Sequence, residues 1–155
     1  MKDPYSSMER VDLDSLSKIK CDTFLGEAEK GSGKSILVIR FKGEYRQGSA
    51  GEPDAKYIFA KLQAAYQAWE SWGIIIDMSE FKYGWGDDLD GFTALRPFEW
   101  CDEEYPFALI VGPECETALA TLYYGDLDKK SFSEPWIFRD ITTGWKYVED
   151  ELGKI

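Results

Sequence analysis

Lys34 and Ser35 follow Gly31-Ser32-Gly33 and, together with Ala28-Glu29-Lys30, complete a relaxed form of the nucleotide-binding P-loop. Phosphate chemistry at such a loop needs a helix immediately after it, because the amides that cradle the phosphates belong to a helix N-terminus. Here the loop runs into Ile36-Leu37-Val38-Ile39-Arg40-Phe41, whose β-branched and aliphatic residues favour a buried strand. Ala28 also stands where the strict motif has its first glycine, and Glu27 and Glu29 would repel a triphosphate. Gly31-Ser32-Gly33 therefore reads as the turn of a hairpin, and a P-loop nucleotidase is not expected.

The other reactive side chains narrow the chemistry further. The chain has no histidine, which removes Ser-His triads, His-ligated zinc and imidazole acid–base catalysis. Cys21, Cys101 and Cys115 are widely spaced, form no C-x-x-C pair, and are expected as small buried residues. Carboxylates cluster at Asp87, Asp88, Asp90, Asp102, Glu103 and Glu104, from which a hydrolase could draw an acid–base pair. A calcium loop does not fit them, since an EF-hand register puts Gly86 at its first ligand position and Pro97 at its last. No catalytic residue, cofactor or metal site is assigned, and the expectation is a non-enzyme.

What the acidic stretch does contain is aromatics. Trp85, Asp87, Asp88, Asp90, Trp100, Asp102, Glu103 and Glu104 combine rigid anchors with charges that steer a basic partner, the residue types of a protein interface. The connection that carries them is long for a compact domain, so part of it is expected on the surface, with Phe92, Phe98 and Trp100 available to core or interface. Over 155 residues, 29 acidic against 18 basic side chains leave a net charge of -11, which repels nucleic acid and anionic membranes and favours neutral or basic partners. The N-terminus lacks the apolar core of a signal peptide and no stretch is long enough to span a bilayer, so a cytoplasmic protein is expected.

The elements that must position these residues follow from hydrophobic period. Residues 1–16 are polar and form a flexible arm, and 17–155 a single α/β domain. A strand near Lys18–Leu25 pairs through the glycine turn with the Ile36–Phe41 run. Pro53 opens a helix whose apolar stripe is Ile58, Phe59, Leu62, Ala65, Tyr66 and Trp69, with Gly73 placed to end it. Ile74-Ile75-Ile76 and Phe107–Val111 are continuous apolar runs, typical of central strands covered on both faces, and a loop with a short helical turn is expected between them. Cys115–Tyr124 reads as a helix ended by Gly125, residues 135–138 as a short strand, and the last helix starts from Asp140 or Thr142 with Trp145, Val148 and Leu152 inward. The expected fold is a mixed sheet of about four to five strands, with an N-terminal hairpin and helices packed on it.

The segment Asp77-Met78-Ser79-Glu80-Phe81-Lys82-Tyr83-Gly84-Trp85-Gly86-Asp87-Asp88-Leu89 resembles the central loop of STAS domains, the anti-sigma-factor antagonist family, and Ile137-Phe138-Arg139-Asp140 before the last helix is similar to the tail of SpoIIAA-like folds. The resemblance implies a STAS/SpoIIAA-like α/β domain and a regulatory role. In that family the loop presents a phosphorylatable serine at a helix start; the matching position here is Gly86 or Asp87, and Ser79 falls too early. A weaker similarity, of Gly86-Asp87-Asp88-Leu89 to the glycine-rich loop of crotonases, meets a chain too short for that fold. In size, acidity and aromatic content the chain also resembles bacterial immunity proteins, which implies stoichiometric occlusion of a basic toxin domain such as a nuclease. On the residues alone, both kinds of protein-binding module stay open.

Overall fold

The computed structural model describes residues 3–86, 89 and 105–155. Strand β1 (Lys20–Glu27) turns through the glycine loop into β2 (Ser35–Glu44), with Leu25 opposite Leu37 and Glu27 opposite Ser35 in antiparallel register. Helix α1 (Glu52–Trp69) crosses to β3 (Gly73–Met78), which lies parallel to β2. There follow β4 (Phe81–Lys82), β5 (Phe107–Val111), α2 (Glu116–Tyr124), β6 (Ile137–Phe138) and α3 (Ile141–Leu152). Among the described residues the strand order is β1-β2-β3-β5-β6, with β4 paired separately to the end of β2, and every pairing beyond the hairpin is parallel.

Strand alternation divides the core into two layers. Leu37, Ile39 and Phe41 of β2, Ile74 and Ile76 of β3 and Leu109 of β5 point to one face, where they bury against Ile58 and Leu62 of α1 and Leu119 of α2. Ile36, Val38, Ile75, Ala108 and Ile110 point to the other, against Val148 and Leu152 of α3. β3 and β5 are buried along their whole length, which is why their sequences are continuous apolar runs and not alternating ones. This is a single α/β domain, with α1 and α2 on one face and α3 on the other.

The P-loop lookalike has a structural use. Gly31 and Gly33 take φ of 85° and 73°, values that favour glycine, and the Ala28 amide donates to the Lys34 carbonyl at 2.8 Å to close the hairpin. Lys34 opens no helix; its Nζ donates to the carbonyls of Leu152 (3.2 Å) and Ile155 (3.4 Å) and lies 5.5 Å from the Trp72 ring centre. It thus supplies the positive charge that the C-terminal end of α3 lacks in its own last turn.

Several boundaries differ from the sequence expectation. The first strand starts at Lys20 and runs to Glu27, because its tail is held by the hairpin. α1 ends at Trp69 with Glu70 in the left-handed region (φ 38°), and Gly73 is instead the first residue of β3, where a Cβ would stand 2.6 Å from Val148. Trp69, expected on the inner stripe, is 52% exposed on the last turn of α1. β4 appears in the stretch expected as loop, raising the count to six strands among the described residues. The helical turn expected after it falls on residues 87–88 and 90–104, outside the described residues. Residues 4–7 and 13–15 of the arm form 3-10 turns capped by Asp3 and Asp12, and Asp140 caps α3. Among the described residues no helix is long and apolar enough to cross a membrane.

Replacing Lys34 with Ala is expected to lower the unfolding free energy by about 1 kcal/mol, the scale of a cation at a helix C-terminus. Urea denaturation measures it, and unchanged stability would show that this cap contributes nothing.

Candidate functional site

In a largely parallel sheet the strands' carboxyl ends open a crevice where ligands and partners engage. Here the crevice edge is built by the chain leaving β3. The Asp77 carboxylate, 7% exposed, accepts the Ser79 amide at 2.9 Å and fixes the first bend. The Ser79 carbonyl then presses onto Gly112 at the end of β5, so closely that a Cβ at residue 112 would lie 2.1 Å from that oxygen. Buried Cys115 closes the same junction: its Sγ accepts the Gly112 amide at 3.4 Å and donates to the Met78 carbonyl at 3.3 Å. Burial pushes this thiol up to about 11, with the Gly112 hydrogen bond opposing, so it stays protonated as a donor and is poorly suited to act as a nucleophile.

Beyond the bend, backbone hydrogen bonds bind the loop on both sides. The Gly43 amide donates to Glu80 (3.2 Å), Tyr45 to Lys82 (2.9 Å), Gly48 to Trp85 (3.4 Å), and the Tyr83 amide donates to Glu114 (3.0 Å). Beneath them Tyr45 meets Tyr83 edge-on at 5.1 Å, Phe81 and Tyr83 stack at 6.5 Å, and the Tyr83 hydroxyl donates to the Gly86 carbonyl. Gly86 (φ 150°) and Gly48 (φ 65°) both use backbone that disfavours a side chain. A Cβ at residue 48 would stand 2.7 Å from the Trp85 ring, so glycine lets that ring lie against the backbone. Trp85 is nevertheless 59% exposed. The result is a large aromatic on a loop whose own backbone is fixed.

The wall next to it is anchored by charge. Asp54, 1% exposed near the start of α1, takes the Arg46 amide (2.8 Å), both ends of the Arg46 guanidinium (3.0 and 3.1 Å) and the Ser17 hydroxyl (2.5 Å). Burial pushes the Asp54 carboxyl up, but the hydrogen bonds from Arg46 and Ser17 outweigh it and hold the group below the ordinary carboxylate range. Arg46 also donates to the Leu16 carbonyl at 2.9 Å, so one ion pair joins the N-terminal arm to residues 45–48, which carry the Trp85 loop. On the far side Glu116 binds Arg139 and the Phe132 amide, which overcome burial and lower its carboxyl too.

Of the candidate site residues, Trp85 is exposed on the loop after β3. Asp87, Asp88, Asp90, Trp100, Asp102, Glu103 and Glu104 lie outside the described residues. The sequence reading missed Tyr45, Gly48, Tyr83, Gly112 and Cys115 as its supports; only the residue types of the two glycines hint at close approach. Among the described residues no group of three or more His, Cys, Asp or Glu side chains could hold a metal ion.

Comparison with solved structures fits this architecture. The chain superposes on an anti-sigma factor antagonist from Mycobacterium paratuberculosis with a TM-score of 0.54 and 17% identity, over 84% of this chain and 96% of that one. The protein therefore has the STAS/SpoIIAA-like fold of the anti-sigma factor antagonists, the fold its central loop resembles. No family model and no curated protein matches the sequence.

Two outcomes check this geometry. Gly112→Ala should destabilise the domain by about 3 kcal/mol, since the neighbouring group is backbone and cannot rotate away; thermal and urea unfolding read it, and a neutral result would contradict the close contact. Because the Asp54 carboxyl is depressed in the folded state, its contribution is full above its unfolded value of about 4 and is lost as pH falls through the folded one. The stability gap between wild type and Asp54→Asn should accordingly narrow on acidification, and a gap constant with pH would contradict the assigned ionisation.

Proposed function

We propose that this protein is a STAS-like regulatory domain that acts by binding a protein partner through the loop after β3, with Trp85 as the anchor, and without a phosphorylation switch. The observation that carries the reading is the fixed presentation of Trp85. It stays largely exposed while glycine backbone, an aromatic cluster and hydrogen bonds to two neighbouring segments hold its loop. A preorganised aromatic loses little conformational freedom on binding, which is what an interface anchor requires. The fold supports a regulatory role by analogy with the anti-sigma factor antagonist it resembles. Gly86, at or beside the position where that family carries its serine, offers no hydroxyl, so control of binding by a kinase at that point is not part of the reading.

Binding, not catalysis, is the proposed mode of action. A net charge of -11 favours one second reading, neutralisation of a basic toxin domain through the acidic, aromatic stretch of sequence that holds Trp85, Asp87, Asp88, Asp90, Trp100, Asp102, Glu103 and Glu104. The two readings share Trp85 and differ in the partner and in how strongly salt weakens the complex.

Affinity capture from the native host at low and high salt, followed by mass spectrometry, separates them. A signalling protein held at both salt levels is the expected result, and a stoichiometric basic protein released by salt would favour neutralisation. Trp85→Ala should weaken whichever complex forms by about 30-fold or more, the effect of losing an interface hot spot. Undiminished affinity in that variant would remove the loop as the binding site.

A further inference from the structure

Glu70 is the one residue other than glycine with a positive φ among the described residues, at 38°. It occupies the C-cap of α1, where glycine or asparagine is favoured and where a side chain with a Cβ is strained by about 1 kcal/mol. On either side of it stand Trp69 and Trp72, 52% and 47% exposed. Strain at a surface turn flanked by two open tryptophans points to a role that stability does not supply.

The charge around this turn leads the same way. The last turn of α3 carries Glu149-Asp150-Glu151 and no basic residue, although carboxylates at a helix C-terminus oppose the helix dipole. Lys34 joins the two features: its ammonium lies 5.5 Å from the Trp72 ring centre and donates to the Leu152 and Ile155 carbonyls at 3.2 and 3.4 Å. Trp72 thus already receives a cation within the chain, and Lys154 meets Glu151 at 2.7 Å, which leaves Glu70, Glu149 and Asp150 as an excess of negative charge over Lys34 and Lys154. This end of the domain, at the start of β3, is opposite the loop that follows β3.

We propose that Trp69, Glu70 and Trp72 form a second interaction surface, which docks an arginine-bearing basic segment of another protein. With Lys34 at the Trp72 ring, an incoming guanidinium can stack on the Trp69 ring and present its donors to the carboxylate of Glu70, the next residue in the chain. Arginine fits better than lysine because its planar group makes both contacts at once. The surface is independent of the Trp85 loop and does not rest on the proposed function of that loop.

The test is a titration of the whole protein with a fluorescently labelled oligo-arginine peptide, followed by anisotropy at physiological salt, in parallel with thermal melts. Glu70→Gly should raise the Tm, because glycine accepts the left-handed conformation, and weaken peptide binding about fivefold or more, the equivalent of one cation–π or ion-pair contact of ~1 kcal/mol. Trp69→Ala should weaken binding to a similar extent. Glu9→Gly, the same charge change on the exposed arm, should leave it within twofold of wild type. If Glu70→Gly raises the Tm and binds as well as Glu9→Gly, Glu70 is only a poor helix cap and the proposal fails. Undiminished binding in Trp69→Ala, or no peptide binding by the wild type, overturns it as well.

Discussion

The contact between the Ser79 carbonyl and Gly112 sets the geometry on which the rest of the site depends. β3 and β5 are adjacent parallel strands buried on both faces, so the chains leaving their carboxyl ends must diverge in little space. A side chain at residue 112 would push the β3 exit away from β5. The thiol of Cys115 would then lose its link between Met78 and Gly112, and Tyr83 its backbone bond to Glu114. Through that one close approach the carboxyl end of the sheet becomes a fixed platform.

From the platform outward, the order of construction is clear. β2 overruns the sheet to reach Glu44 and offers its last residues to β4, so that Phe81 and Tyr83 come under Tyr45. Arg46, held by Asp54, directs the chain beyond Tyr45 so that Gly48 meets Trp85. The Asp54–Arg46 pair holds this wall and the N-terminal arm together. The same division of labour appears at the opposite end of the domain, where Lys34 steadies the end of α3 and leaves Trp69 and Glu70 in solvent. Among the described residues, exposed tryptophans therefore stand at both ends of the α/β frame, Trp85 at one and Trp69 and Trp72 at the other.

Much of the frame was legible in the sequence. Two uninterrupted aliphatic runs marked β3 and β5, the 3.6-residue stripe marked α1, and the β-branched run after Lys34 was enough to reject a P-loop, because strand and helix periods are incompatible. The resemblance of residues 77–89 to STAS domains carried the fold correctly. What stayed hidden was tertiary. β4 is two residues long and has no period of its own; it is a strand only because β2 runs past its other neighbours. Gly73 was assigned to the end of α1 on residue type, whereas Glu70 takes the strained cap and the packing of Val148 requires the glycine in β3. Trp85 stood out by residue type, but Gly48, Gly112 and Cys115 support it through contacts across long sequence separations that no local pattern encodes.

The loop after β3, held on both sides by backbone hydrogen bonds, is the proposed meeting point of this domain with its partner. Hydrogen–deuterium exchange of the captured complex against the free protein measures that directly. Added protection concentrated on residues 79–86 and on the neighbouring 45–48 and 112–115 segments is the predicted result. Protection that leaves those segments unchanged and falls instead on α2, or only on the turn between α1 and β3, would contradict it.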